Sequence, residues 1–234
     1  MSAEPVRKEI SEGVRFYAVT ALLALLAVGC GGGGGNGGTG PCSPGAAVQL
    51  VTKSGDEQSW YFDNPLPAPL RVTALDAASC PVPGVVVNWA VVGSGAGAVS
   101  PAQSTTDASG VASTTDSIGA VMRQTVNASA TGVPGSATLH ANAATAPATA
   151  GVGIADFSFT PDDAVIKTGG TVTWTWGGAQ PHNVTYDGGP TPLPASSATH
   201  TGSGTFQSTI TTLGRYTYHC SVHPQMTASV TVVH

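Results

Sequence analysis

The chain has 234 residues, only 9% of them charged, and a formal net charge of −5. That length allows one or two domains. No cluster of Lys and Arg occurs past residue 30, which argues against nucleic-acid binding, because affinity for a phosphate backbone is drawn from basic side chains. Gly, Ala, Ser, Thr and Val dominate the remainder, a composition suited to β-rich extracytoplasmic modules.

Residues 1–30 read as a targeting segment. Arg7, Lys8 and Arg15 precede an apolar run from Phe16 to Val28. The run is too short to span a bilayer, which takes about 20 residues, but it fits a signal-peptide core. Its end, Leu26-Ala-Val-Gly-Cys30, resembles a bacterial lipobox, with Ala27 where that pattern usually has Leu. The resemblance implies acylation of Cys30, which becomes the first residue of a lipoprotein. The alternative is an ordinary secretory signal cut nearby. Residues 31–45, mostly glycine, cannot bury apolar surface and read as a flexible tether.

Residues 46–144 carry short apolar alternations separated by turns. Leu70–Leu75 reads as a strand, Pro81-Val-Pro-Gly84 as a turn, and Val85–Val92 as a strand with Val85, Val87, Trp89 and Val91 on one face. Further alternations fall at Thr125–Ala130 and Ala137–Ala141. Short strands with turns between them predict a β-sandwich. The stretches Asp76–Val85 and Thr105–Ala112 resemble the two signatures of bacterial immunoglobulin-like domains of the invasin/intimin kind, which implies a spacer or adhesion module.

Residues 145–151 read as an Ala/Thr/Pro linker, and 153–234 as a second β domain. Ile154–Phe159 alternates as one strand. Thr171–Trp176 places Val172, Trp174 and Trp176 on one face. Tyr216, Tyr218 and Cys220 share another, and Met226, Ala228, Val230 and Val232 share parity in the last strand. No sustained helical periodicity appears after the targeting segment, so the expected class is all-β.

The chemistry concentrates in Tyr216–Met226. Cys220, His223 and Met226 form a Cys-x2-His-x2-Met run of soft and borderline metal ligands. A thiolate and imidazoles with a weak thioether suit copper, and a trigonal Cys/His/His set with axial Met makes an electron-transfer site. The second histidine is available at His182, in Ala179-Gln-Pro-His-Asn-Val184. Alternation turns Cys220 inward, where an unpaired thiolate is disfavoured and a metal supplies the missing positive charge. His223 and Met226 are placed in the loop before the last strand.

These residues resemble the cupredoxins (plastocyanin, pseudoazurin, amicyanin). The two-residue gap between His and Met is most like amicyanin. The resemblance implies a Greek-key β-sandwich over 153–234 following the immunoglobulin-like sandwich. It also implies one type 1 copper ion, and Asn183 as a hydrogen-bonding support for the ligand loops. His219 points to the opposite face of its strand and reads as a surface residue. His140, His200 and His234 read as solvated.

With Cys30 assigned to lipid and Cys220 to copper, Cys42 and Cys80 remain. In an exported protein they are disulfide candidates, or else two independent thiols. Ser79-Cys80 stands where the immunoglobulin-like family usually has Gly-Asn, and that replacement suggests a bridge to Cys42.

No Ser/His/Asp arrangement, paired carboxylates or phosphate loop stands out, and Gly31–Gly35 lacks the Lys-Ser/Thr of a P-loop. The expectation is therefore a non-enzymatic, lipid-anchored protein of the cell envelope, periplasm-facing or at the outer membrane or cell surface. It would exchange single electrons with redox partner proteins there. The rival readings are a copper carrier or scavenger, and an adhesion or structural protein in which copper is incidental.

Overall fold

A computed structural model describes residues 42–234. The expected targeting segment, Cys30 and the tether up to residue 41 lie outside the described residues. No helix occurs among the described residues.

The first half contributes β1 (Gln49–Ser54), β2 (Gln58–Tyr61), β3 (Leu70–Leu75), β4 (Val86–Val92), β5 (Ala98–Ser100), β6 (Gln103–Thr105), β7 (Val111–Ser117), β8 (Arg123–Ala130) and β9 (Ala137–Ala144). They form two sheets, of order β1-β3-β7-β5 and β2-β9-β8-β4-β6. Period-two alternation explains their inner faces: Leu70, Val72 and Ala74 of β3 are buried, as are Val87 and Trp89 of β4 and Val126 and Ala128 of β8. All of these except Ala74 meet in one core with Leu139, where each fully buried large apolar side chain contributes about 1.5–3 kcal/mol.

A disulfide joins Cys42 to Cys80, with Cα atoms 5.7 Å apart. The segment before β1 is held a second way, because the Asp76 carboxylate accepts N–H bonds from Gly45, Ala78 and Cys80, each 2.8 Å long. These donors, Gly45 foremost, keep the Asp76 carboxyl below the usual carboxylate range.

The second half contributes β10 (Thr149–Ala155), β11 (Ser158–Thr160), β12 (Asp163–Lys167), β13 (Gly170–Trp176), β14 (Thr185–Gly188), β15 (Gly204–Ile210), β16 (Gly214–Cys220) and β17 (His223–Val233). Its two sheets have the orders β11-β10-β13-β15 and β12-β17-β16-β14. The β10/β13 and β12/β17 pairs are parallel and the other pairs antiparallel. Ile154, Ile166, Val172, Trp174, Tyr218 and Val230 lie in the core between them.

Among the differences from the sequence reading, two concern β10 and β11. β10 begins at Thr149, inside the stretch read as linker, because the Ala148 carbonyl accepts the Thr171 N–H and ties it to β13. Ile154–Phe159 is not one strand but a hairpin. Ile154 pairs with Phe159 and Ala155 with Ser158, around an Asp156-Phe157 turn. Directly opposed residues share a face of a sheet, so Ile154 and Phe159 are both buried while Phe157 is 66% exposed.

Candidate metal centre

The site is assembled by the register of β16 and β17. Tyr216, Tyr218 and Cys220 alternate inward along β16, all nearly or fully buried. The chain reverses at Ser221-Val222, and His223 pairs directly with Cys220, so the two side chains share one face. His223 and Met226 therefore belong to β17 itself and not to a preceding loop. The next pair is His219 with Thr227, which leaves Pro224, Gln225 and Met226 without partners in β16. This bulge frees the local backbone from strict alternation, and Met226 ends 3% exposed within the core.

His182 arrives from the connection between β13 and β14. Its backbone exchanges two hydrogen bonds with His200, and its carbonyl also accepts the Trp176 indole N–H at 3.1 Å. The side chain is fully buried.

These elements bring three donor atoms together. Cys220 Sγ lies 3.8 Å from His182 Nδ1 and 3.7 Å from His223 Nδ1, and the two Nδ1 atoms are 3.2 Å apart. Borderline divalent metals bind imidazole nitrogen at about 2.0 Å and thiolate sulfur at about 2.3 Å. Trigonal donors at those lengths stand about 3.5–3.7 Å from one another, so the separations fit one ion among them. A buried imidazole nitrogen, a half-buried one and a buried sulfur converging on one point have no better common partner than a soft cation.

The surroundings fix the donors. Asn183, next to His182, accepts the Ser221 N–H and donates to Ser221 Oγ. Ser221 itself follows Cys220. His182 Nε2 faces Asp156 Oδ1 at 3.5 Å. Asp156 is in turn anchored by the Gln180 N–H, which chiefly holds its carboxyl below the usual range. A Cβ at Gly178 would collide with that carboxylate. The Phe157 ring meets the His223 ring edge-on, with centroids 4.9 Å apart.

Beneath the site, Trp174, Tyr218 and Phe159 pack in edge-to-face contacts. Burial pushes the Tyr218 hydroxyl up to about 12 and also raises Tyr186. Both stay neutral at physiological pH.

Sequence reasoning missed Asp156, Phe157 and Ser221. The position of Ser221 directly after Cys220 is the one signal that could have marked it. The remaining histidines lie elsewhere. His219 faces away from Cys220 and pairs with Asp187 at 2.6 Å. His200 contributes its backbone to His182 and packs its ring on Trp176. His140 sits against Asp56 and Glu57 in the first half, where Arg123 forks onto both Glu57 oxygens.

Fold and site together define a β-sandwich protein with a mononuclear Cys/His/His centre for a soft metal. Residues 146–233 match the model of the copper-binding protein family of plastocyanin and azurin. Among solved structures, amicyanin from Paracoccus versutus is 30% identical over 36% of this chain and 80% of its own, with a TM-score of 0.33. An amicyanin variant in its reduced state is 32% identical over 36% of this chain and 81% of its own, with a TM-score of 0.33. A purple cupredoxin from Nitrosopumilus maritimus is 29% identical over 36% of this chain and 98% of its own, with a TM-score of 0.33. No curated protein matches the chain. Through residues 146–233 the chain belongs to the plastocyanin/azurin family of copper-binding proteins, the cupredoxins, and its cofactor is copper.

Proposed function

We propose that this chain is a cell-envelope electron carrier in which His182, Cys220 and His223 hold one copper ion and Met226 serves as the weak axial ligand. The reading is carried by the convergence of the three donor atoms within 3.8 Å of one another. Bound there, copper supplies a one-electron Cu(II)/Cu(I) couple.

The protein's part is to keep the donors still between the two states. Cys220 and His182 are fully buried, the Asn183–Ser221 pair locks their two segments together, and an apolar core excludes water. His223 is the donor nearest the surface, flanked by exposed Phe157 and Val222. That edge is the exit for the electron, and a transient redox encounter there needs an interface of less than about 1,200 Å². Among the described residues no constellation for bond-making chemistry accompanies the site, and we read the protein as a carrier and not an enzyme.

The N-terminal part of the proposal rests on sequence. Cys30 acylation would anchor the chain in a membrane, the glycine run would act as the tether, and the first sandwich would be an immunoglobulin-like spacer. A copper carrier is disfavoured because the chain has only three methionines, and of the other two Met122 is an exposed residue of the first sandwich. A competition tests the choice. The Cu(I) form is mixed with a chelator and, separately, with a small oxidant. Electron loss much faster than copper loss is expected, and the reverse order would overturn the assignment.

A further inference from the structure

We propose that Phe157 is a positioning residue for the copper centre, holding the His223 imidazole with Nδ1 aimed at Cys220 and His182. The inference rests on the copper reading above.

A ligating histidine is usually oriented by a hydrogen bond to its other ring nitrogen. His182 has such a partner, because its Nε2 faces Asp156. Among the described residues, the polar contacts of the His223 ring all fall on Nδ1, the atom turned to Cys220 and His182. What meets the ring instead is Phe157, 4.9 Å away and inclined at 75°, the edge-to-face geometry favoured by aromatic quadrupoles.

The backbone makes this choice of residue notable. Phe157 has φ 67°, in the left-handed region that a bulky side chain rarely occupies. A two-residue hairpin turn favours glycine or asparagine at such a position. The ring is 66% exposed, so core burial does not account for an aromatic there. Residues held in sparsely populated backbone conformations mark sites where another requirement outweighs the strain, and here the contact with His223 is that requirement. The Asp156-Phe157 turn thus addresses both histidines from adjacent positions, one through a carboxylate and the other through a ring. The turn is tied to the segment before His182 by the Gln180 N–H, which donates to the Asp156 carboxylate.

The test uses the full copper-loaded chain and the variants Phe157→Gly and Phe157→Tyr. Phe157→Gly suits the turn, so the thermal stability of its copper-free form should be unchanged or higher. Its Cu(I) should pass to bicinchoninate about two- to tenfold faster, the range that loss of one edge-to-face contact supports, and its thiolate-to-copper band should shift. In the copper-free variant, the His223 ring-proton resonances should broaden relative to wild type. Phe157→Tyr, which keeps the ring, should restore the release rate and the band. Wild-type release rate, band and ring resonances in Phe157→Gly would overturn the role of Phe157 and leave the copper reading intact. A wild-type chain that shows no thiolate-to-copper band would overturn the copper reading itself.

Discussion

Asn183 and Ser221 are joined by two hydrogen bonds running in opposite directions. The Ser221 N–H donates to Asn183 Oδ1 and Asn183 Nδ2 donates to Ser221 Oγ, both at 2.8 Å. Each residue directly follows a proposed copper donor, His182 and Cys220 respectively. Asn183 is buried and Ser221 is exposed, so Asn183→Ala removes two bonds without stranding Ser221 from water and should cost about 1–3 kcal/mol, about 0.5–1.5 kcal/mol for each bond. Ser221→Ala keeps the N–H bond and should cost about 1 kcal/mol. Denaturant unfolding of the copper-free variants checks the ranking, and equal losses would refute the two-bond account.

Met226 should be replaceable where the other three donors are not. A buried Met-to-Leu exchange conserves volume and costs less than about 1.5 kcal/mol. Met226→Leu should therefore still fold and bind copper, with a raised reduction potential, because removing the thioether leaves the more highly charged Cu(II) less well solvated. Voltammetry of the variant provides the check. Loss of copper binding would mean that Met226 is a strong ligand.

The Cys42–Cys80 bridge closes a separation of 38 residues, which in the chain-entropy picture stabilises the folded first sandwich by about 4 kcal/mol. The double variant Cys42→Ser/Cys80→Ser should lower the unfolding transition of that sandwich and leave the copper band unchanged. The Asp76 hydrogen bonds to Gly45, Ala78 and Cys80 do not depend on the bridge. Amide exchange at Gly45 should therefore stay slow in the double variant, and fast exchange there would show that Cys42–Cys80 alone orders the segment.

Asp116 sets a pH dependence of opposite sign to the usual carboxylate. It is 1% exposed, Gln124 Nε2 donates to its Oδ1 at 2.5 Å, and its Oδ2 has no partner among the described residues. Burial raises its pKa to about 6, above the roughly 3.9 of an unfolded Asp. Between those values the folded chain binds more protons than the unfolded one. The contribution is thus fully present below about pH 4 and is lost as pH rises through 6, on the order of 3 kcal/mol. Asp116→Asn mimics the neutral acid. It should match wild type near pH 4 and exceed it in stability near pH 8, as read by unfolding at the two pH values.

Three of the four proposed copper donors stood out in the sequence because their chemistry is local, with His182 the distant one. Cys220, His223 and Met226 lie within seven residues, and parity along β16 turned Tyr216, Tyr218 and Cys220 inward as expected. Strands with apolar inner faces, such as β3 and β13, were legible for the same reason. β7 was not, because its inner face is Ala112, Thr114 and Asp116, two of them polar and bonded to the Pro101 carbonyl and to Gln124, contacts that no alternation of hydrophobicity reveals. β1 escaped as an edge strand whose residues are all exposed or half-buried. The Asp156-Phe157 turn was hidden because Ile154–Phe159 also alternates if read straight through. Only the pairing of Ile154 with Phe159 shows that the chain folds back there and delivers Phe157 to His223.

A copper–thiolate centre at Cys220 is decided by the visible absorption spectrum of the oxidised chain loaded with one equivalent of copper. An intense thiolate-to-copper band that is abolished in Cys220→Ser is expected. Stoichiometric copper binding without such a band, or a band that survives in Cys220→Ser, would contradict it.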